Sequence, residues 1–316
     1  MTTTHKAIGI DIGGTKVAIG AVEGDGCIRC QVSLETKPEA GFASALSRIG
    51  RAIDDLLAKA GWPPSQLRGI GIGCTGPVNP FRGTIHNPYT LPTWDNADIV
   101  TPLRERFGVP VRLENDADAA LLGECFAGAG RGLDPVVMLT YGTGIGGAVM
   151  VNGRLWRGVA GEHPELGHIP VAANGPPCYC GRAGCLEAMA SGTAIGAAAR
   201  KAGFPDSRAV FAAAANGDAK AGDVVDGALQ ATGVAAWTIV HAYLPQRIIL
   251  GGGIMDEHYE LFAAVIRKNI EAATQAPRGQ ISVAKAALGN HAGLVGGASL
   301  AFAKPESSPS DTMKPQ

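Results

Sequence analysis

Twice in this chain a short apolar run enters a cluster of glycines and leaves it directly as a second apolar run. The first copy is Ala7–Ile12, then Gly13–Gly14–Thr15–Lys16, then Val17–Val22. The second is Val136–Thr140, then Tyr141–Gly142–Thr143–Gly144–Ile145–Gly146–Gly147, then Ala148–Val151. Short apolar runs bounded by glycine read as buried strands, so each copy predicts a hairpin whose turn offers backbone N–H donors to an anion. Because the two hairpins begin corresponding segments, the pattern predicts an internally duplicated architecture in which the turns face each other across a cleft and hold one nucleotide. Neither turn has the GxxxxGK[ST] spacing of the Walker loop or the GxGxxG dinucleotide fingerprint. A Gly-rich hairpin serving backbone packing alone has the same composition.

Size fits duplication. With 316 residues, 46% of them hydrophobic, the chain can bury two cores more readily than one. Its 27 basic and 28 acidic side chains leave a formal charge of -1, and no long basic stripe marks a nucleic-acid partner. No continuous apolar segment is long enough to span a membrane. The opening residues, MTTTHKAIGIDIGG, enter a strand without the features of a secretory signal, so a cytoplasmic protein is expected. Seven cysteines, three of them in one local pattern, fit reduced thiols and metal better than a disulfide framework.

That pattern lies in PELGH at 164–168 and CYCGRAGCLE at 178–187. His168, Cys178, Cys180 and Cys185 offer imidazole and thiolates suited to a tetrahedral zinc, and four protein ligands leave no position for water, which makes the metal structural. Cys178 and Cys180 are separated by a single residue, unlike the usual zinc ribbon or knuckle. Gly181 and Gly184 let the backbone turn tightly enough to return Cys185 to the same ion. A loop so fixed can hold the bracketing Glu165 and Glu187 against a ligand. Buried or unpaired cysteines beside a turn are the structural alternative.

Asp11 ends the first strand, where its carboxylate can lie near a nucleotide-bound magnesium. Leu67–Cys74 reads as a strand ending at Thr75–Gly76–Pro77, and Val109–Leu113 as another that leads into Glu114–Asn115–Asp116–Ala117–Asp118, with a helix over Ala119–Ala127. Asp116, where strand meets helix, can orient and deprotonate a sugar hydroxyl while Asn115 holds its neighbour. Helix capping is the alternative role for either residue. Further along, Ala188–Ala199 begins a helical region, 207–237 is helical with uncertain boundaries, and Arg247–Leu250 is a strand entering Gly251–Gly252–Gly253. That triplet allows close approach to adenine or ribose, or is a plain strand-to-helix turn. Tyr259–Ala272 reads as an amphipathic helix. Residues 1–118 are expected to form an amino-terminal lobe, 119–291 a larger lobe carrying the metal loop, 292–304 a small-residue helical segment packing back on the first, and 305–316 a flexible tail.

Together DIGGTK at 11–16, ENDADAA at 114–120, GTGIGG at 142–147, ELGH at 165–168, CYCGRAGCLE at 178–187 and GGG at 251–253 resemble the ROK family of sugar kinases over nearly the whole chain. The resemblance implies an α/β protein of the actin-like, hexokinase-like ATPase (ribonuclease H-like) fold, with two lobes around a central cleft that close on ATP and a sugar. It implies Asp116 as general base, Gly76, Asn87, Asn115, Glu165, His168 and Glu187 on the sugar side, and Gly13, Gly14, Thr15, Gly142, Thr143 and Gly144 around the phosphates. Lys16 neutralises phosphate charge in this reading or makes a solvated ion pair, Gly252 and Gly253 lie on the nucleotide side, and Asp11 helps place magnesium. His168, Cys178, Cys180 and Cys185 are the implied zinc ligands, and a homodimer is implied as well.

Glucose is the first choice of hexose. His163–Pro164–Glu165 departs from the more usual Ala–Gly–Glu and is similar to fructokinase relatives, while Thr90 stands where many members carry a sugar-contacting Asn. Fructose, mannose and N-acetylmannosamine follow as alternatives, and a noncatalytic sugar-binding protein after them. The family's DNA-binding repressors carry a helix-turn-helix before the kinase-like core, and none is expected ahead of a hairpin that begins by residue 8.

Overall fold

The computed structural model describes residues 5–159 and 161–303. The chain opens as an antiparallel meander of β1 (Lys6–Ile12), β2 (Lys16–Glu23) and β3 (Ile28–Glu35), and helix α1 (Phe42–Ala60) returns it to β4 (Leu67–Cys74), parallel to β1. Three two-residue strands, β5 (Val78–Asn79), β6 (Thr84–Ile85) and β7 (Ala97–Asp98), form a small ribbon. Helix α2 (Val100–Phe107) then leads to β8 (Val111–Asn115), parallel to β4, and helix α3 (Asp116–Ala127) follows without a loop. The sheet runs β3-β2-β1-β4-β8.

A second sheet repeats this plan. β9 (Val136–Tyr141), β10 (Ile145–Val151) and β11 (Arg154–Leu155) form its meander, and β12 (Arg247–Gly251) and β13 (Ser282–Lys285) add on in parallel, in the order β11-β10-β9-β12-β13. Helices α4 (Leu186–Ala190), α5 (Gly192–Ala202), α6 (Ser207–Ala215) and α7 (Ala219–Tyr243) lie between β11 and β12, α8 (Gly253–Ala272) lies between β12 and β13, and α9 (Ala292–Phe302) closes the described chain. The duplication read from the two hairpins is present as sheet topology.

The two faces of β1 differ in kind. Ile8, Ile10 and Ile12 are fully buried in a cluster with Ile70 and Ile72 of β4 and with Ala45, Ile49, Ala52, Ile53, Leu56 and Leu57 of α1, whose spacing sets one helical face on the sheet. On the opposite face the register pairs Gly9 with Gly71 and Asp11 with Gly73. This makes a floor almost without side chains, and α9 lies on it. A Cβ on Gly297 would stand 2.9 Å from the Gly71 carbonyl oxygen and 3.0 Å from that of Ile10, and one on Gly293 would stand 2.7 Å from Cγ of Asp11. On its other side α9 meets α3 just as closely, since a Cβ on Gly296 would reach within 2.8 Å of the Gly123 nitrogen.

The chain divides into two units. One holds residues up to Gly132, Arg157–His163 and the segment from Asn290, and the other holds Leu133–Trp156 and Pro164–Gly289. A boundary at Asp118 would cut α3, and the glycine contact with α9 explains why this helix stays whole in the first unit. The tail expected over 305–316 lies outside the described residues, as does Lys304. In the second unit, strands β9, β10 and β12 share a core with α4 to α8. Tyr141 is fully buried there, edge-on to Phe262 at 5.2 Å, with its hydroxyl donating to Thr232 at 3.3 Å.

Several local boundaries move for identifiable reasons. The strand expected over Val109–Leu113 extends to Asn115 and the helix begins at Asp116, because the Asn115 side chain accepts from the Ala117 and Asp118 amides and so caps α3. The second glycine turn shortens, since Ile145, Gly146 and Gly147 pair with Tyr141, Thr140 and Leu139 as strand. Ser191 breaks the helical region after Leu186 by capping α5. Among the described residues no helix is long and apolar enough to cross a membrane.

Two alanine substitutions test the glycine floor. Gly71→Ala drives a methyl into the Gly297 backbone and is expected to cost at least about 1–3 kcal/mol, as overpacking does where the opposing atoms are main chain. Gly227→Ala, within α7 and with nothing inside 4 Å, is expected to stabilise by about 0.5–1 kcal/mol. Urea unfolding of both variants measures the difference.

Candidate active site

In the first unit the sequence-predicted residues gather at the carboxyl ends of the parallel strands, where open α/β sheets bind ligands. Asp11 is the penultimate residue of β1, Gly76 follows β4, Asn115 ends β8 and Asp116 begins α3. The Gly13–Lys16 turn is closed by the Gly13 N–H donating to the Lys16 carbonyl at 2.9 Å, and Thr36 occupies the Gly13 carbonyl through its hydroxyl at 2.7 Å and the Thr15 carbonyl through its amide at 3.0 Å. Thr90 packs its methyl where a Cβ on Gly14 would sit, so it covers this turn. Lys16 is exposed. Gly76 has no room for a side chain because Nδ2 of Asn115 stands 2.6 Å from its Cβ position. Buried Asn87 braces the neighbouring loop, donating to the Thr75 carbonyl at 3.2 Å and accepting from the amides of Tyr89 at 3.1 Å and Thr90 at 2.8 Å. Only one of its N–H groups remains for a substrate.

Two carboxyls of this site are raised above the ordinary carboxylate range. Burial first and the nearby Asp116 charge second push Asp11 up to about 6, with Lys16 pulling against both. Burial also raises Asp116, opposed by the Ala117 amide that donates to Oδ1 at 2.9 Å and by His163. Beside them is an ion cluster that the sequence pattern did not single out. Arg157 pairs through Nη2 with Glu114 at 2.6 Å and through Nη1 with Asp118, all three side chains being nearly or wholly buried. Burial raises Glu114 to about 7 against the pull of the guanidinium, with the Asp118 charge adding to the rise. Arg157 sits in a loop without periodicity, so only its contacts reveal it.

In the second unit the turn Gly142–Gly144 is closed by the Gly142 N–H donating to the Gly144 carbonyl at 2.9 Å, and the first amides of α5 occupy the carbonyls of Gly142 at 2.8 Å and Thr143 at 3.3 Å. Both glycine hairpins thus have carbonyls tied to the surrounding protein. Gly252, at φ +88°, precedes α8, where a Cβ would lie 2.7 Å from the Tyr141 carbonyl carbon, so it abuts the same hairpin, while a Cβ on Gly253 would meet nothing within 4 Å. Glu187, in the first turn of α4, accepts the Ile145 N–H at 2.7 Å and fills the space over Gly144. This expected sugar ligand therefore has one oxygen committed to the hairpin, while Glu165 is exposed just before a short 3-10 turn that ends at His168.

The four expected metal ligands come together. One donor atom from each of His168, Cys178, Cys180 and Cys185 lies within 4.8 Å of all the others. His168 Nδ1 is 3.4 Å from Cys178 Sγ, and Cys180 Sγ is 3.5 Å from Cys185 Sγ. A tetrahedron with metal–sulfur bonds of about 2.3 Å sets sulfurs about 3.8 Å apart, so the donor set fits a closed metal site. With Nδ1 turned to the sulfurs, Nε2 of His168 is 3.1 Å from the hydroxyl of Tyr179, whose ring stands edge-on to the imidazole at 5.0 Å. Although the Tyr179 side chain is largely exposed, partial desolvation of its hydroxyl and the charges of Glu187 and Glu165 push the phenol up to about 12. As the residue between the first two cysteines, Tyr179 carries no signal in the motif.

A duplicated five-stranded frame with a glycine hairpin at the same strand ends in each copy, and acids at the ends of β1 and β8, defines the actin-like ATPase class of α/β proteins. The sequence model of the ROK family matches residues 7–304. A glucokinase of Thermotoga maritima is 37% identical over 311 residues, covering 93% of this chain and 96% of its own. A ROK hexokinase structure from Thermus thermophilus superposes with a TM-score of 0.83 at 34% identity, over 94% of this chain and 98% of its own. A ROK family glucokinase of Streptomyces griseus, solved in complex with glucose and AMPPNP, gives a TM-score of 0.74 at 32% identity, over 94% of this chain and 99% of its own. The chain belongs to the ROK family.

Asp11 gives this site a pH signature. Its carboxyl has a folded value of about 6 against an unfolded 3.8, so the stability it contributes is fully present below about pH 4 and is lost as the pH rises through about 6. Asp11→Asn cannot ionise and is expected to match the ligand-free wild type near about pH 4 and to exceed it by up to about 3 kcal/mol above about pH 6.5. Urea unfolding across that range gives the comparison, and a difference that does not change with pH removes the proposed ionisation penalty.

Proposed function

We propose that this protein is an ATP-dependent hexose kinase and that glucose, converted to glucose 6-phosphate, is its preferred acceptor. The observation that carries the reading is Asp116, a carboxyl raised by burial at a capped strand–helix corner, in a chain similar to a glucokinase solved with glucose and AMPPNP. A raised carboxyl is a stronger base than a solvated one and suits proton abstraction near neutral pH. In the reaction the hexose hydroxyl gives its proton to Asp116, its oxygen bonds to the γ-phosphorus, and the bond from that phosphorus to the bridging oxygen breaks to release ADP.

The remaining residues divide the work. Gly76, Asn87, Asn115, Glu165, His168 and Glu187 are proposed to hold the sugar hydroxyls. Amides of Gly13, Gly14, Thr15, Gly142, Thr143 and Gly144 meet the phosphates, with Lys16 adding charge, and Gly252 and Gly253 leave room for adenine or ribose. Magnesium supplies neutralisation of the phosphates, and Asp11 is the residue to hold it. Its carboxyl, costly to ionise in the bare protein, is suited to a cation that favours the charged form. Zinc is proposed for the His168, Cys178, Cys180 and Cys185 cluster, in a structural role because all four positions are filled by protein. Fructose is the second acceptor in this reading, because His163–Pro164–Glu165 resembles fructokinase relatives more than the usual Ala–Gly–Glu, and a fructokinase of Zymomonas mobilis is 31% identical over 308 residues.

With ATP, magnesium and a panel of glucose, fructose, mannose, N-acetylmannosamine and N-acetylglucosamine, glucose is expected to give the highest kcat/KM, measured by direct detection of the phosphorylated sugar. Asp116→Asn is expected to lower kcat by about 10²–10⁴-fold with KM for the sugar nearly unchanged, as loss of a general base predicts. A folded protein with no phosphorylated product from any of the five sugars would reject the reading. Elemental analysis is expected to find one zinc per chain, absent from Cys185→Ser, whose melting temperature falls.

A further inference from the structure

The buried ion cluster of Arg157, Glu114 and Asp118 has no part in the chemistry described so far, yet Asp116 sits in its middle. Glu114 and Asp118 are two residues before and two residues after Asp116 in the chain. One belongs to the end of β8 and the other to the first turn of α3. A single guanidinium spans both, with Nη2 2.6 Å from Glu114 and Nη1 on Asp118, and the three side chains are 13%, 8% and 0% exposed. The other Glu114 oxygen accepts the Asn115 N–H at 3.0 Å, and Asn115 caps the helix. Every backbone step that sets the direction of the Asp116 side chain is therefore tied, directly or through one neighbour, to the fork of Arg157.

From this geometry we infer that Arg157 is a positioning residue for Asp116, clamping the β8–α3 corner through Glu114 and Asp118 so that the carboxylate is held toward the reacting hydroxyl. The planar, two-armed guanidinium is what the task requires. A lysine offers one point charge and cannot hold two carboxylates in a fixed fork. Removing the cation also takes the balancing charge from buried carboxyls on both sides of the corner, which favours its rearrangement. Arg157 reaches the corner from the Arg157–His163 segment, which the first unit takes up between two stretches of the second. The same segment carries His163, which acts on Asp116 electrostatically.

The inference rests on the kinase reading, and the test separates the two. Arg157→Ala, Arg157→Lys and the isosteric Glu114→Gln and Asp118→Asn are compared with wild type in steady-state phosphorylation and by amide hydrogen exchange of residues 115–118. Arg157→Ala is expected to lose about 100-fold in kcat with KM for sugar and ATP within about threefold, the signature of a misplaced reacting group. Added guanidinium ion is expected to restore at least about tenfold of that loss, and Arg157→Lys to recover less. If Arg157→Ala does not fold, the two isosteric variants carry the kinetic test, each with an intermediate loss in kcat. Exchange is expected to rise at 115–118 while the β1 and β4 amides stay protected. A kcat within threefold of wild type in a folded Arg157→Ala, or in both isosteric variants, overturns the inference. So does a rise in KM alone, or unchanged exchange at the corner. Wild-type protein that phosphorylates no sugar defeats the kinase reading instead, and exchange then decides alone whether Arg157 holds the corner.

Discussion

The first unit depends on main chain packed against main chain. Gly9 and Gly71 give β1 and β4 a common face without side chains, and Gly293, Gly296 and Gly297 give α9 a matching one. Such close approach buries polar backbone, so it is tolerable only where strand and helix hydrogen bonds are complete on both sides. Its effect is to remove slack. Asp11, one residue from the end of β1, lies against Gly293, while α3, which starts at Asp116, is pinned from beside by the Gly123 and Gly296 contact. Both acids of the candidate site thereby take their positions from glycine.

Charge is arranged in layers around that frame. Asp11 and Asp116 are raised by burial, a cost that binding a cation or accepting a proton relieves. Behind them Glu114 is raised by burial as well, to about 7, but there Arg157 pulls the other way and pairs with both Glu114 and Asp118. A carboxylate meant to react and a carboxylate meant to hold differ here by whether a permanent cation is within hydrogen-bond reach. The second unit shows a related economy, since Glu187 spends one oxygen on the Ile145 amide and so stiffens the hairpin beside it.

Much of this was legible from residue types alone. Strand, glycine turn and strand repeated at 7–22 and 136–151 is a local pattern with a topological consequence, and the repeated sheet order bears it out. The metal cluster was legible because ligand chemistry is specific to Cys and His at short spacing, and the donors do converge. Less legible was anything that depends on distant partners. The placement of α3 is one such case, because the contact that keeps it with the first unit is made with residues about 170 positions later in the chain. Arg157 and Tyr179 could not be singled out, since an arginine in a loop and a tyrosine between two cysteines acquire meaning only from what they touch. Nor does the sequence reveal that Asn87, proposed to hold the sugar, gives most of its hydrogen-bonding capacity to bracing its own loop.

The repeated sheets carry one more implication. Asp11 lies in β1 opposite Gly73 of the neighbouring parallel strand, and in β9 the position opposite Gly251 of β12 is Thr140. The two halves thus keep the same small partner and differ in the residue facing it, an acid in one and an uncharged hydroxyl in the other. The duplication is therefore one of scaffold and not of charge: the same strand position that carries a carboxylate in one half offers only a hydroxyl in the other, so a cation drawn to this position has a partner in the first half alone.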